Sequence, residues 1–481
     1  MSRRYFAIVL AVLLPTIAFV VAATREEPVV VQPVFASLGA PTLPFVPKQQ
    51  FLSATWFCAG VPLEGGGAGG DVVVANPLDM PLTGTITVFT DAADVEPVIQ
   101  HFEAPPRDTL LLALEELQPA GSYVSAMIEI AGGGGIVEQR ADHSAGSAVS
   151  PCSNSTSDVW YFADNYTLNN SEEDLVISNP YPDDAVVNIT FAVPDGTRTS
   201  QELTGFPVPG GSVVVIPEDP YMPKDEAVLA ATVHSSRGRI VVARAQRYLG
   251  ERQGFSLTLG APSPSPEWFF ADGEQSDDVH FERYSIYNPN DHDVTVTATV
   301  LGIPLDEVLV NTRDDVVPAG RVVSFTMAEF ADLPDGRHRL EFSTQSTDGV
   351  VVERAITRAT DEGPITAVTF GAPQVFGGYY RWSMAVGTDL AVDAVLLVAN
   401  RDFIDGTVTV KALGPGGEVV VPGLDEIVLP ASGTLAIAIP QDAAALGVPL
   451  VVESTNRIIV ERSLPRAAEL RGRAASLALP G

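Results

Sequence analysis

Apolar and polar residues alternate with a period of two over much of this chain. Val187, Ile189 and Phe191 alternate with Asn188, Thr190 and Ala192, which is the pattern of a strand with one buried face. Pro194-Asp195-Gly196 follows and supplies a hairpin turn. Val213–Ile216, Val228–Val233, Ile240–Val242 and Phe255–Leu259 are further β-rich runs, split by Gly, Pro, Ser and Asp. About seven or eight strands per roughly 105 residues is the cadence of a β-sandwich. A propeller blade is nearer to about 40–50 residues, so the units do not read as blades. Helix is predicted only in short stretches after the post-proline strand, at Leu110–Leu117, Met327–Phe330 and Asp442–Leu446.

The strand pattern recurs with a long period. Trp56, Trp160, Trp268 and Trp382 are spaced 104, 108 and 114 residues apart. Each opens a matching phrase: Trp56-Phe-Cys-Ala-Gly60, Trp160-Tyr-Phe-Ala-Asp164, Trp268-Phe-Phe-Ala-Asp272 and Trp382-Ser-Met-Ala-Val386. An Asn behind an apolar run follows, at Asn76, Asn179, Asn288 and Asn400; Pro77, Pro180 and Pro289 come next, with Arg401 in the fourth copy. Pro106, Pro209, Pro318 and Pro430 then precede a β-branched run. Each copy closes on an apolar–Arg strand: Ile136-Val-Glu-Gln-Arg140, Val241-Val-Ala-Arg244, Val351-Val-Glu-Arg354 and Ile459-Val-Glu-Arg462. A terminal phrase ends it, Leu259-Gly-Ala-Pro262 and Phe370-Gly-Ala-Pro373, weaker at Leu477-Ala-Leu-Pro480. Shared landmarks in one order identify tandem duplicates.

The predicted architecture is all-β: four immunoglobulin-like β-sandwich units in tandem, at 55–158, 159–266, 267–378 and 379–481, behind an export segment and a linker at 24–54. Structural roles are expected for the landmarks. The Trp anchors a core, the Asn caps its own backbone in a turn, and the Arg snorkels or pairs with a nearby carboxylate. Ser37-Leu-Gly-Ala-Pro41 repeats the terminal phrase before the first unit and reads as an extra strand. Terminal strands are expected to pack across unit boundaries and stiffen the array into a rod.

Residues 1–23 read as a targeting segment. Arg3 and Arg4 precede an almost wholly apolar run from Tyr5 to Val21, and Val21, Ala22 and Ala23 offer small residues for a signal peptidase. At about 17–19 residues the run is at the lower limit for a bilayer span, so a cleaved signal peptide and an uncleaved anchor both stay open. The body is expected outside the cytoplasm, secreted or anchored at the surface by residues 5–23.

Units that open with Trp-aromatic-Phe-Ala, pass through Asn-Pro and close on Val-Glu-Arg and Gly-Ala-Pro resemble an uncharacterised family of bacterial exported proteins. These are Trp-led β-sandwich repeats, a domain of unknown function common in high-GC Gram-positive bacteria. The resemblance covers about residues 50–481 and implies no activity, since the family has none assigned. The fourth unit departs most, with Trp382-Ser-Met lacking aromatics and Arg401 in place of proline.

Charge and chemistry narrow the functions. Sixty Asp+Glu against 28 Lys+Arg give −32, which repels phosphate backbones and argues against nucleic acid. Cys58 and Cys152 are the only cysteines, and in an oxidising compartment they would join the two ends of the first unit. None of the six histidines lies three to five residues from another, so zinc spacing is missing. Asp291-His292-Asp293 reads as a solvated turn, and Asp183-Asp184 and Asp314-Asp315 are at most weak calcium candidates. Gly65–Gly70 and Gly132–Gly135 read as loop tips, since no glycine precedes a lysine and a P-loop is excluded. No G-x-S-x-G or S-x-x-K occurs. The acids offer many chance carboxylate pairs for glycoside hydrolysis, which only spatial separation can decide.

The expected function is a non-enzymatic spacer or scaffold at the cell envelope, without cofactor or metal. Its membrane contact would run only through the N-terminal segment, and its partner would be an envelope polymer or another exported protein. The alternative is a binding module for an envelope glycan or partner protein, with Tyr379 and Tyr380 or Tyr284 and Tyr287 as an exposed aromatic shelf. An enzyme is the third reading.

Overall fold

The computed structural model describes residues 42–47, 53–63, 67–277, 279–302, 309–330, 333–360, 363–385, 395–414, 416–440, 448–465 and 473–481. The segment at 1–23 and the phrase Ser37–Pro41 lie outside them. Contacts group Pro41–Gly481 into one body.

Alternating β-branched residues produce nearly all-β structure. In the first unit, β1 (Ser53–Pro62), β2 (Gly67–Asn76), β3 (Leu82–Thr90), β4 (Val98–Ala104), β5 (Asp108–Ala113), β6 (Tyr123–Ala131), β7 (Ile136–His143) and β8 (Gly146–Pro151) form two antiparallel sheets. Their orders are β1-β6-β3-β4 and β5-β2-β7-β8. Val72–Ala75 on β2 are buried on both faces of that strand, and Ile86 and Val88 on β3 are buried as well. The same two sheet orders recur between Val159 and Leu259, Glu267 and Phe370, and Arg381 and Leu477, the last with an added strand, Ile427–Leu429, beside Gly406–Gly414.

Four strands of each unit carry the landmarks. The Trp strands are β1, Val159–Asn165, Glu267–Gln275 and Arg381–Met384. The Asn strands are β2, Glu172–Asn179, Val279–Asn288 and Val395–Asn400. The Arg strands are β7, Val241–Tyr248, Val351–Thr360 and Ile458–Pro465, and the terminal strands are β8, Gly254–Leu259, Gly363–Phe370 and Arg473–Leu477. Among the described residues helix is confined to single turns such as Leu114–Leu117, Glu218–Tyr221 and Met327–Glu329; Leu110–Ala113, expected as helix, is strand, and the stretch expected at Asp442–Leu446 lies outside the described residues.

The array is not a rod. The terminal strand of the first unit packs against that of the second, the second against the third, the third against the fourth, and the fourth against the first. A head-to-tail interface used repeatedly closes into a ring when its rotation permits, and here four copies suffice. Terminal strands therefore do pack across unit boundaries, as expected, whereas the phrases that follow them pair within their own units. Ser153 pairs with Phe57 and Ala261 with Tyr161, Ala372 with Phe269, and Leu479 with Ser383, so each phrase returns to the Trp strand of its own unit.

Candidate functional site

The chemistry-bearing residues gather at the junctions between units. Adjacent residues of a strand point to opposite faces, so the Glu and Arg of each Val-Glu-Arg phrase reach different neighbours. Arg244 of the second unit donates to Glu353 of the third at 2.8 Å. Arg354 of the third donates to Glu461 of the fourth at 2.8 Å. Arg462 of the fourth donates to Glu138 of the first at 2.6 Å. All six side chains are buried.

The same carboxylates collect backbone donors from the facing Trp strand. Ala163 and Asp164 donate their N–H groups to Glu353 at 2.6 and 2.7 Å, Ala271 donates to Glu461 at 2.6 Å, and Ala385 donates to Glu138 at 2.9 Å. This explains the Ala three residues after Trp160, Trp268 and Trp382. Its side chain is small enough to let a neighbour's carboxylate reach the backbone. Burying a charge is costly unless it is paired and hydrogen-bonded, and each glutamate here is both. The Phe two residues after the Trp adds to the support: Phe162 lies 5.4 Å from the Arg244 guanidinium and Phe270 lies 5.6 Å from that of Arg354.

The first–second junction lacks this pair on both sides. By strand register, Gln139 occupies the Arg position opposite Ser150, as Arg244 stands opposite Thr258, and Ala243 occupies the Glu position of the second unit. Gln139 instead accepts from Gly60 N–H of its own unit at 3.3 Å. Tyr123 donating to Asp174 at 2.8 Å and Ser125 beside Ser178 at 2.8 Å join the two units.

At the second–third junction, buried Asp164 accepts from Arg283 Nε at 3.1 Å and Ser285 Oγ at 2.7 Å, both from the third unit, with Arg252 at 3.6 Å. Burial alone would raise its pKa, yet Arg283 and Arg252 hold it below the ordinary value. The matching Asp272 is bound within its own unit by Arg358 and Arg337. Burial is outweighed there by Arg358, Arg354 and Arg337, which keep it well below the usual carboxylate range. Glu173 shows the opposite balance: burial raises it to about 8, against Arg244 and the Tyr166 N–H.

The other landmarks are structural. Trp56, Trp160, Trp268 and Trp382 are buried. The last three donate through Nε1 to the carbonyls of Ile240, Val350 and Ile458 at 2.8–2.9 Å. Asn76, Asn179, Asn288 and Asn400 are buried too. In Asn179, Oδ1 accepts from Tyr181 N–H at 3.2 Å, while Nδ2 donates to the carbonyls of Asp183, Val208 and Pro209 at 2.9–3.2 Å. The Asn therefore ties its turn to the distant proline landmark, a role not legible from the turn alone. Cys58 and Cys152 form a disulfide. A recurrence missed in the sequence is the shared position of an Asp five residues after the Asn. Asp184, Asp293 and Asp405 accept from Gly210, Ala319 and Ala431 N–H at 2.8–3.0 Å.

Asp184 and Asp293 are thus turn clips. Asp314 accepts from Thr297 Oγ1 and Asp315 pairs with Arg313. Among the described residues no three His, Cys, Asp or Glu side chains converge as a metal site. Tyr284 and Tyr287 are buried, Tyr379 packs on the core, and Tyr380 is half exposed, so the four rings do not form a shelf. Arg401, which replaces a proline, stacks 3.4 Å over the Phe269 ring of the third unit; its departure strengthens a junction. No described helix is long and apolar enough to cross a membrane.

Seven arginines and seven acids are buried among the described residues. The formal charges of that set cancel, and the net −32 lies outside it.

A search of curated proteins found no match. Among solved structures, the crystal structure of Thermotoga maritima 1070 is similar at 13% identity and a TM-score of 0.21, over 23% of this chain and 96% of that one. Residues 135–369, from the Arg strand of the first unit to the terminal strand of the third, match the family model for DUF5719, a family of unknown function.

Proposed function

We propose that this chain is an exported, non-enzymatic scaffold of the cell envelope, a rigid ring of four β-sandwiches. The observation that carries the reading is how the repeated charged residues are used. Arg244, Arg354 and Arg462 join one unit to the next through Glu353, Glu461 and Glu138. A spacer gains length with each unit, whereas these contacts bring the fourth unit back to the first, so the scaffold half of the reading is the better supported. Export is supported by the basic-then-apolar segment at 1–23 and by the disulfide, which suits an oxidising compartment. The acid excess keeps such a body soluble and self-repelling.

One observation favours a binding module instead. Phe403 and Ile404 are 83% and 66% exposed on the turn after Asn400, where the third unit has Asp291 and His292. The two readings separate when the exported body is incubated with purified envelope polymers and sedimented. The scaffold reading expects intact polymer and no saturable co-sedimentation. Saturable binding lost in Phe403→Ser/Ile404→Ser would establish the module, and release of soluble fragments would overturn both.

A further inference from the structure

We propose that residues 42–47 are a strap that locks the ring across the seam between its first and fourth units. Val46 N–H donates to the Pro480 carbonyl at 2.8 Å, so the strap lies beside the final β-bridge, where Leu479 and Pro480 pair with the fourth Trp strand. Phe45 N–H donates to Asn154 Oδ1 at 2.7 Å, in the connection leaving the first unit. These two bonds tie the last residues of the ring to the end of its first sandwich.

Leu43 and Pro44 sit at the ring axis. With the ends of all four terminal strands, among them Pro151, Leu259, Phe370 and Leu477, they line an apolar cleft of about 40 Å³. Leu43 is 7% exposed. A six-residue segment thus reaches every unit, while among the described residues its hydrogen bonds to the rest of the ring go to the fourth unit and the connection after the first. The Glu138–Arg462 pair secures the same seam from its buried side. Without the strap, the fourth terminal strand and β8 would keep that pair and lose the cover over their axial ends. Opening of this kind is local, and amide exchange resolves it.

The test compares hydrogen exchange of the full exported body with Val46→Pro, which removes the donor to Pro480, and with Leu43→Asp, which makes the axial contact unfavourable. Asn154→Ala, a surface change, covers the case in which either variant fails to fold. The expected result is exchange at least about tenfold faster in 146–154 and 473–481, with the second Trp strand, Val159–Asn165, unchanged. Unchanged exchange at both seam segments would overturn the proposal. So would a uniform increase across all four junctions, because the segment would then be general packing and not a strap.

Discussion

Arg462 donates to Glu138 across 324 residues of sequence, at 2.6 Å and with both groups buried. This bond carries the fourth unit back to the first. Its counterpart at the first–second junction is missing as a pair: Gln139 stands at the Arg position and Ala243 at the Glu position. Losing one partner of a buried pair is far costlier than losing both, and the first–second junction, with Gln139 and Ala243, lacks both.

The pair therefore offers a double-mutant cycle. Glu138→Ala strands a buried guanidinium, and Arg462→Gln strands a buried carboxylate; each is expected to cost about 3–5 kcal/mol. The double variant copies the natural Gln139/Ala243 junction and is expected to cost clearly less than the sum. Urea unfolding of the four proteins checks this. Strict additivity would show that the charges do not act as a pair.

The disulfide has a packing equivalent in the other units. By strand pairing, Cys58 and Cys152 stand where Phe162 and Gly260, and Phe270 and Gly371, stand. A Cβ on Gly260 would lie 2.8 Å from the Phe162 ring, and one on Gly371 would lie 2.8 Å from that of Phe270. A large ring over a glycine and a disulfide thus fill one place. Cys58→Ala/Cys152→Ala is expected to lose about 4–5 kcal/mol in the chain-entropy account of a loop this long. Cys58→Phe/Cys152→Gly is expected to recover part of that loss in the same denaturation assay. If it unfolds as easily as the alanine double variant, the two arrangements are not interchangeable.

Much of the unit was legible in the sequence, because its landmarks are local or recur at a fixed period. Trp160, Asn179 and Pro209 mark strand and turn positions that alternation alone predicts. The ring was not legible. Arg244 and Glu353 lie 109 residues apart, and nothing in a single unit says that an Arg looks forward while a Glu looks back. The signal was present in one place: Gln139 and Ala243 depart from the phrase together, as coupled partners would. The rod expectation failed because periodicity along a chain carries no information about the rotation between copies. Tyr284 is buried in the core of its own unit, stacked on Phe325, whereas Tyr287 is covered by the second unit, its OH 2.8 Å from Thr232.

Asn179 tests the turn mechanism. Its Nδ2 faces three carbonyl oxygens, so Asn179→Ala leaves buried acceptors unpaired, at about 1–3 kcal/mol for each group left unsatisfied. Asn179→Asp is expected to be worse than alanine, since it sets a carboxylate against those same oxygens. Thermal melts of the two variants give the order. An aspartate variant as stable as the parent would mean that the oxygen side alone, through Tyr181 N–H, holds the turn.

Glu173 sets the pH response of the second unit. Burial lifts its pKa from 4.5 to about 8, so the folded chain keeps a proton there that the unfolded chain has released. Between those two values the native state binds more protons than the unfolded state, and stability falls as pH rises. The stabilisation from the protonated carboxyl is complete below about 4.5 and lost through about 8. Asp272 works in the other direction. Its carboxylate is favoured by the fold, so its contribution is present above the ordinary aspartate range and lost in acid. Glu173→Gln keeps a neutral group of similar shape at every pH. It is expected to flatten the decline in melting temperature between pH 6 and 8.5 and to leave the acid limb, set by groups such as Asp272, in place. A parent protein that gains stability over that alkaline window would show that Glu173 is already ionised in the fold, held by Arg244.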